Sequence, residues 1–171
     1  VPGSLGGDRR GADLAGHDRK AARNVAGIEG CLVDRSQTIV AALDQTDTRS
    51  FQMAVAGPAA LLVSKCHKLG ERAQERGGKR LKPKDAQDVL RLLRKVPIAI
   101  LAGGFKRMLA DDVSTTVAHH GLEQLRALFG RPGFLGCDLA VQAAAGLEDE
   151  GVIRESCAAL TTDLLETLLG S

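Results

Sequence analysis

The chain has 171 residues, of which 44% are apolar and 26% are charged, and its formal net charge is +2. These values are typical of one folded domain with a hydrophobic core, and they exclude an intrinsically disordered segment. Tryptophan and tyrosine are absent and phenylalanine occurs four times, which disfavours a single-strand nucleic-acid reader that stacks bases on exposed rings.

Residues 1–57 are predicted to form an irregular arm followed by a small sheet. Residues 1–27 are rich in Gly, Arg and Asp and show no sustained apolar period. Three short apolar runs rich in β-branched residues follow, beginning at Ile28, Gln37 and Phe51. Polar turns separate these runs, and the pattern predicts a short antiparallel sheet of about three strands.

The remainder of the chain, residues 58–171, is predicted to be a helical domain. Proline or an acidic residue lies near the start of several segments with helical spacing, as is common in the first turn of a helix. Six helices are predicted, at 58–75, 83–96, 97–110, 112–129, 134–145 and 150–169. The expected fold class is α+β, a short antiparallel sheet followed by a helical bundle.

Positive charge is concentrated in residues 65–95, where eleven basic residues against four acidic ones give a net charge of +7. Residues 96–171 carry five basic and ten acidic residues, a net charge of −5. Because the basic segment coincides with two predicted amphipathic helices, its charge is presented on a folded surface, as a phosphate-bearing partner requires. An anionic ligand is therefore the first functional hypothesis.

On the first of these helices, three basic side chains flank the stripe that faces the core. At 100° per residue, Lys65, Lys68 and Arg72 lie beside the apolar arc of the helix. They are therefore expected to border a crevice. The alternative is that these long side chains only cover apolar surface with their methylene groups.

On the second helix, a carboxylate falls inside the apolar arc. Asp85 is placed among the core-facing residues, and Asp88 lies at the edge of the same arc. A carboxylate directed toward a core needs a cation, a metal or hydrogen-bond donors, and Lys65 or Arg72 is the expected partner. The alternative is that Asp85 only complements the helix dipole from the first turn, after Pro83.

Two stretches of sequence carry a resemblance to a known family. GPAALLVSKCHKLGER, from Gly57, and RLKPKDAQDVLRLL, from Arg80, resemble two consecutive motifs of the AbiEii-type nucleotidyltransferases, which include the MenT-like toxins of toxin–antitoxin systems. The matching positions are Lys65 and Arg72 in the first motif and Lys84, Asp85 and Asp88 in the second. Lys82 stands where an arginine is more common in the family.

The resemblance implies a nucleotidyltransferase-like fold and assigns roles to these residues. Lys65 would contact the phosphates of a nucleotide, and Asp85 would act near the reacting hydroxyl. Asp88 would support the site without reaching the substrate. The expected phosphate-binding residues for a nucleotide or an RNA are Lys68, Arg72, Arg80, Lys82 and Lys84.

The resemblance covers only the C-terminal portion of the family pattern. Family members hold Mg²⁺ for phosphoryl transfer with an Asp-x-Asp pair, and no such pair occurs in this sequence. Mg²⁺ is therefore expected only in an intact family member, and no metal-binding residue is assigned. The chain alone is expected to be inactive, either as a fragment that an upstream metal-binding strand would complete or as a shortened relative.

The leading hypothesis is an incomplete or degenerate nucleotidyltransferase-like protein that binds a nucleoside triphosphate or an RNA end at the basic two-helix site. One alternative is a noncatalytic interaction module, in which helices within 97–169 bind a cognate antitoxin or a second copy of the chain. Another is a purely electrostatic binder of nucleic acid. The sequence has no apolar run of bilayer-spanning length and no Cys-x-x-Cys motif, so a cytoplasmic protein with reduced thiols and no membrane partner is expected.

Overall fold

The computed structural model describes residues 15–18, 21–75 and 80–170. Within these ranges a short 3₁₀ helix, Glu29–Leu32, precedes two strands, β1 (Arg35–Ala41) and β2 (Ser50–Ala56). Six α-helices follow, α1 (Pro58–Gln74), α2 (Pro83–Lys95), α3 (Ile98–Leu109), α4 (Thr115–Phe129), α5 (Leu135–Ala144) and α6 (Glu150–Leu169). The predicted α+β class is confirmed, and each of the six predicted helices is present.

The sheet has two strands within the described residues, one fewer than the sequence predicts. The apolar run from Ile28, predicted as a strand, forms the 3₁₀ helix. The Glu29 carboxylate accepts the backbone N–H of Gly27 at 2.9 Å, and the Gly30 carbonyl accepts the N–H of Asp34 at 2.8 Å. These local bonds satisfy the backbone within a turn, in competition with pairing along a strand.

The core of the protein surrounds α1, which packs against α2, α3 and α4. On α1, Leu62, Val63 and Leu69 are fully buried. The approach of α4 is close, since a Cβ atom at Gly121 would lie 3.1 Å from both methyl groups of Val63. The helix α2 also packs against α5, and α6 packs against α3 and α5. The first turn of α2, which contains Asp85, lies next to the C-terminal half of α1, where Lys68 and Arg72 contact it.

The hairpin of β1 and β2 carries an apolar face that is exposed. The two strands are antiparallel, with Thr38 opposite Met53 and Val40 opposite Phe51, and directly opposed residues share one face of a sheet. Phe51 is 66% exposed and Met53 52% exposed. A two-stranded hairpin is at best marginally stable by itself in water, so an uncovered apolar face is an unusual feature of this chain.

Charged residues recur along the helices. As a result, none of the helices in the described ranges combines the length and the apolar character that crossing a bilayer requires. The four cysteines are free thiols, and Cys66, Cys137 and Cys157 are buried. Burial raises the pKa of the Cys66 thiol, so this group is a protonated, apolar part of the core.

Candidate anion-binding site

The predicted site lies where α1 packs against α2. Each helix has a proline in its first turn, Pro58 and Pro83, where the missing N–H leaves no helical hydrogen bond unmade. Asp85 also lies in the first turn of α2. It is only 4% exposed, as its place within the apolar arc predicts.

Three cationic side chains of α1 converge on the Asp85 carboxylate. The Lys65 ammonium donates to Oδ1 at 3.2 Å, and the Lys68 ammonium donates to the same oxygen at 2.8 Å. The Arg72 guanidinium donates to Oδ2 at 2.8 Å. Both oxygens of this buried carboxylate therefore accept hydrogen bonds from charged donors, which offsets the cost of removing it from water.

Asp88 extends the cluster by one turn of α2. Its Oδ2 accepts a hydrogen bond from the Lys65 ammonium at 2.7 Å, and its Oδ1 lies 3.6 Å from the Arg91 guanidinium. Lys65 thus bridges two carboxylates. We refer to Lys65, Lys68, Arg72, Asp85 and Asp88 as the Asp85 cluster.

The contacts within the cluster shift the pKa values of Asp85 and Lys65. Burial by itself would raise the pKa of the Asp85 carboxyl, but the hydrogen bonds from Lys68 and Lys65 outweigh it, and the pKa lies below its ordinary value. Burial would likewise lower the pKa of the Lys65 ammonium, yet its bonds to Asp88 and Asp85 raise it overall. Both groups are therefore charged at neutral pH.

The cluster has a surplus of positive charge. It holds three cations and two carboxylates, and the side chains of Lys68 and Lys65 keep 39% and 29% of their surface exposed. An ammonium has three N–H donors and a guanidinium has five, so donors remain after the bonds to Asp85 and Asp88 are made. The exposed side of the cluster can therefore accept a second anion.

Three other predicted phosphate-binding residues are arranged differently. Arg80 pairs with Glu75. Lys82 is the N-cap residue of α2, and its side chain makes no capping hydrogen bond. Lys84 is exposed. Within the described ranges, none of the three side chains forms an ion pair with Asp85, so the structure brings together Lys65, Lys68 and Arg72 from the predicted set.

Sequence reasoning missed another buried carboxylate, that of Asp34. It accepts the backbone N–H of Ala60 at 3.0 Å and a hydrogen bond from the Arg107 guanidinium at 2.7 Å. Ala60 lies in the first turn of α1, whose N-cap residue is Gly57 and has no capping side chain. Asp34 therefore caps α1 from outside the helix. The signal in the sequence was the Gly57-Pro58 start of this helix. Because the N-cap position has no side chain that could cap the helix, a capping group from elsewhere in the chain was to be expected.

Metal ligation by these acidic groups has no support in their geometry. Among the residues that the structure describes, no group of three or more His, Cys, Asp or Glu side chains could hold a metal ion. Both Asp85 oxygens are already paired with cations, whereas Mg²⁺ requires free oxygen ligands. The Asp85 cluster thus does not fit the Mg²⁺ of an intact family member.

Comparisons of the chain with protein-family models, with curated proteins and with solved structures give no significant match. The likeness to the nucleotidyltransferases therefore depends on the residues of the two motifs in α1 and α2. The structure adds direct contacts between those motifs, since Lys65 lies 3.2 Å from Asp85 and 2.7 Å from Asp88, and Arg72 lies 2.8 Å from Asp85.

Proposed function

We propose that this chain is an incomplete or degenerate nucleotidyltransferase-like protein that binds the phosphates of a nucleotide or of an RNA end at the Asp85 cluster. The observation that supports it best is the convergence of Lys65, Lys68 and Arg72 on one buried carboxylate. Two of these cations keep an exposed surface on which a phosphate can bind. A cytoplasmic location is part of the same proposal, whereas a cognate antitoxin as partner belongs to the alternative function, protein interaction.

Asp85 prepares the cations for binding. A free lysine or arginine side chain loses up to about 2 kcal/mol of rotamer entropy when a ligand orders it. Here the bonds to Asp85 have already ordered Lys68 and Arg72, so the ligand meets a preorganised group of donors. Phosphate oxygens would accept the N–H groups that point away from Asp85.

Asp85 itself has the properties of a positioning group. A carboxylate with a lowered pKa holds protons weakly, which makes it a poor general base at neutral pH. In this proposal Asp85 acts near the reacting hydroxyl by holding Lys65, and Asp88 holds the same ammonium from the other side. Mg²⁺ supplies charge neutralisation in phosphoryl transfer when it is bound, but the cluster gives it no ligands.

Exposed cations near the start of α2 favour the approach of a polyanion. Lys82 and Lys84 are exposed there, and like charges on one surface raise the encounter rate with RNA or nucleotide at low ionic strength. Their proposed role is attraction, while the Asp85 cluster provides the directed hydrogen bonds.

The test is a binding titration with a fluorescent nucleoside triphosphate and with a 5′-phosphorylated RNA oligonucleotide at low salt. Lys65→Ala should weaken binding at least tenfold, because it removes the ammonium that bridges Asp85 and Asp88. Lys106→Ala is the matched control, since it removes an exposed lysine of α3 and should change affinity less than twofold. Thermal unfolding of both variants shows whether they remain folded.

Two outcomes would contradict the proposal. Equal losses in the Lys65 and Lys106 variants would indicate binding by overall charge alone, with a steep dependence on salt. Absence of binding to either probe at low salt would reject the site.

We also expect no Mg²⁺-dependent transfer of radiolabel from a triphosphate to RNA by this chain, and observed transfer would show it to be a complete enzyme.

A second candidate function is protein interaction, which the hairpin favours. Phe51 and Met53 are exposed on one face of β1 and β2, and contiguous exposed apolar surface marks interaction sites. Sedimentation velocity of the chain and of a Phe51→Ser, Met53→Ser variant tests self-association. Concentration-dependent association that the substitutions remove would support this function, and a monomer at all concentrations would argue against self-association.

A further inference from the structure

A cleft of about 730 Å³ lies between α4 and α6. A cleft of this volume can hold a small organic molecule. Its apolar wall is formed by Leu122, Ala127, Phe134, Leu165, Leu168 and Leu169. It shares no residue with the Asp85 cluster.

The basic and acidic residues of the cleft lie at different positions along α4. Arg126 lies in the last turn of α4 and Arg131 in the turn that follows it. Glu123 and His119 lie about one and two turns earlier on the same helix, and Glu166 contributes from α6. Positive charge therefore collects at the end of the cleft next to the C-terminus of α4.

These two arginines differ from the arginines of α2, α3 and α6. Arg94, Arg107 and Arg154 are each paired with a carboxylate, on Glu148, Asp34 and Asp138 respectively. Arg126 and Arg131 form no ion pair with any residue in the described ranges, although both line the cleft. The Arg131 guanidinium lies 5.9 Å from the centroid of the Phe134 ring, which holds it over an apolar wall.

We propose that this cleft binds a small amphipathic anion. The head group, a carboxylate or a phosphate, would lie between Arg126 and Arg131, because a guanidinium forms paired hydrogen bonds with both of these anions. The apolar body would lie along Leu122, Leu165 and Leu168, where removal of its apolar surface from water favours binding.

The acidic residues of the cleft limit the number of anionic groups that the ligand can carry. Glu123 and Glu166 line the same cleft and would repel a second anionic group on the ligand. A monoanion with one head group and an unbranched apolar chain therefore fits better than a dianion charged at both ends. A nucleotide, which carries several negative charges and little apolar surface, fits poorly.

Isothermal titration calorimetry with three amphiphiles of equal chain length, each below its micelle concentration, tests this site. Decanoate and decyl phosphate should bind, and decyltrimethylammonium should not, because it carries the opposite charge on the same apolar chain. The tighter of the two anions identifies the head group. Equal binding of all three, or binding of none, would overturn the proposal.

Variants locate the site. Arg126→Gln and Arg131→Gln should each weaken anion binding roughly tenfold or more, since each removes charge-assisted hydrogen bonds to the head group. Arg35→Gln, which alters an exposed arginine on β1, is the matched control and should leave affinity unchanged. Unchanged affinity in both cleft variants would overturn the proposal, and Arg131 serves as the test if the Arg126 variant is unstable.

Two further variants test whether the amphiphile binds in this cleft or on another surface of the chain. Lys65→Ala should leave decanoate affinity unchanged, so failure of the nucleotide proposal and failure of this one are distinguishable. Phe51→Ser should also leave it unchanged, because the exposed hairpin face is apolar and without charge. Loss of decanoate binding in the Phe51 variant would place the amphiphile on the hairpin and overturn the proposal.

Discussion

Asp34 and Asp85 are both buried carboxylates near the start of a helix, yet their surroundings differ. Asp34 accepts one guanidinium bond and one backbone N–H bond, whereas Asp85 accepts bonds from three cationic side chains. The first arrangement balances one negative charge with one positive charge. The second leaves positive charge in excess, even with Asp88 included, and only a surplus of this kind provides for a further anion.

The two carboxylates also differ in how tightly the surrounding residues enclose them. A Cβ atom at Gly57 would lie 2.3 Å from the Asp34 carboxylate, and one at Gly104 would lie 3.1 Å from it. Backbone therefore encloses Asp34 on two sides, and these glycines allow the close approach. Lys65 and Lys68 are partly exposed beside Asp85. Asp34 is thus a structural ion pair and helix cap, whereas Asp85 is the centre of a partly exposed cluster of cations, the proposed binding surface.

The largest expected effect comes from Asp34→Ala. It leaves the Ala60 N–H and the Arg107 guanidinium without their acceptor and opens a cavity at the start of α1. We expect a loss of about 3 kcal/mol in the free energy of unfolding, measured by urea denaturation. A loss below about 1 kcal/mol would show that Asp34 does not anchor α1.

Asp85→Asn should cost less, about 1–2 kcal/mol, and the loss should be reversible by anions. It leaves three cations close together without their carboxylate, and sulfate can take its place at the exposed side. Sodium chloride of equal ionic strength should restore less stability. The wild type and the Asp34→Ala variant correct for the general stabilising effect of sulfate. Equal gains in all three proteins would contradict a cation surplus at Asp85.

The dependence of stability on pH should separate Asp85→Asn from the wild type. The pKa of Asp85 is lowered in the folded state from 3.8, so its contribution is present above that value and is lost as the pH falls through the folded pKa. The stability gap between the two proteins should therefore narrow below pH 3.8. A gap that stays constant down to acid unfolding would show that the three cations do not stabilise the carboxylate.

Lys65 should make the free energy of unfolding depend on pH at high pH, as Asp85 does at low pH. Its pKa is raised from 10.5, so its contribution is fully present below that value and is lost as the pH rises through the folded pKa. Lys65→Met, which keeps the apolar stem, should therefore differ most from the wild type below pH 10.5. Chemical denaturation at a series of pH values measures the free energy of unfolding at low and at high pH. If the difference between the wild type and Lys65→Met stays constant at high pH, this ion pairing is contradicted.

Arg91→Gln should have the smallest effect. Arg91 is exposed, and its guanidinium lies 3.6 Å from the Asp88 carboxylate, a distance typical of a surface pair worth less than about 0.5 kcal/mol. Nucleotide affinity should also stay within twofold of the wild type. A tenfold loss of affinity would extend the binding surface along α2.

The prediction of helices succeeded because their signals are local. Proline in the first turn marks the starts of α1 and α2, and apolar spacing at 3.6 residues marks their buried faces. The same spacing placed Asp85 inside the buried arc and three cations beside the facing stripe. The prediction of a strand from Ile28 was wrong, because β-branched composition says nothing about the bond from Gly27 to the Glu29 carboxylate.

Asp34 could not be found in this way. Its guanidinium partner lies 73 residues further along the chain and its backbone donor 26 residues further, and no periodic pattern connects such positions. Similarly, the two apolar runs of the hairpin predict strands from their β-branched composition. That composition does not determine whether a second layer of structure covers the apolar face.

The amino-acid order by itself determined which segments are helical and which side of each is apolar, because both depend on residues within a turn or two of each other. It also determined that positive charge is concentrated in residues 65–95. Only the tertiary structure decided that Lys65, Lys68 and Arg72 share one carboxylate and that Asp34 caps a distant helix. It also decided that two arginines line a cleft without an ion-pair partner in the part of the chain that the structure describes. These relations depend on the angle and depth at which the helices pack, which the whole core sets together.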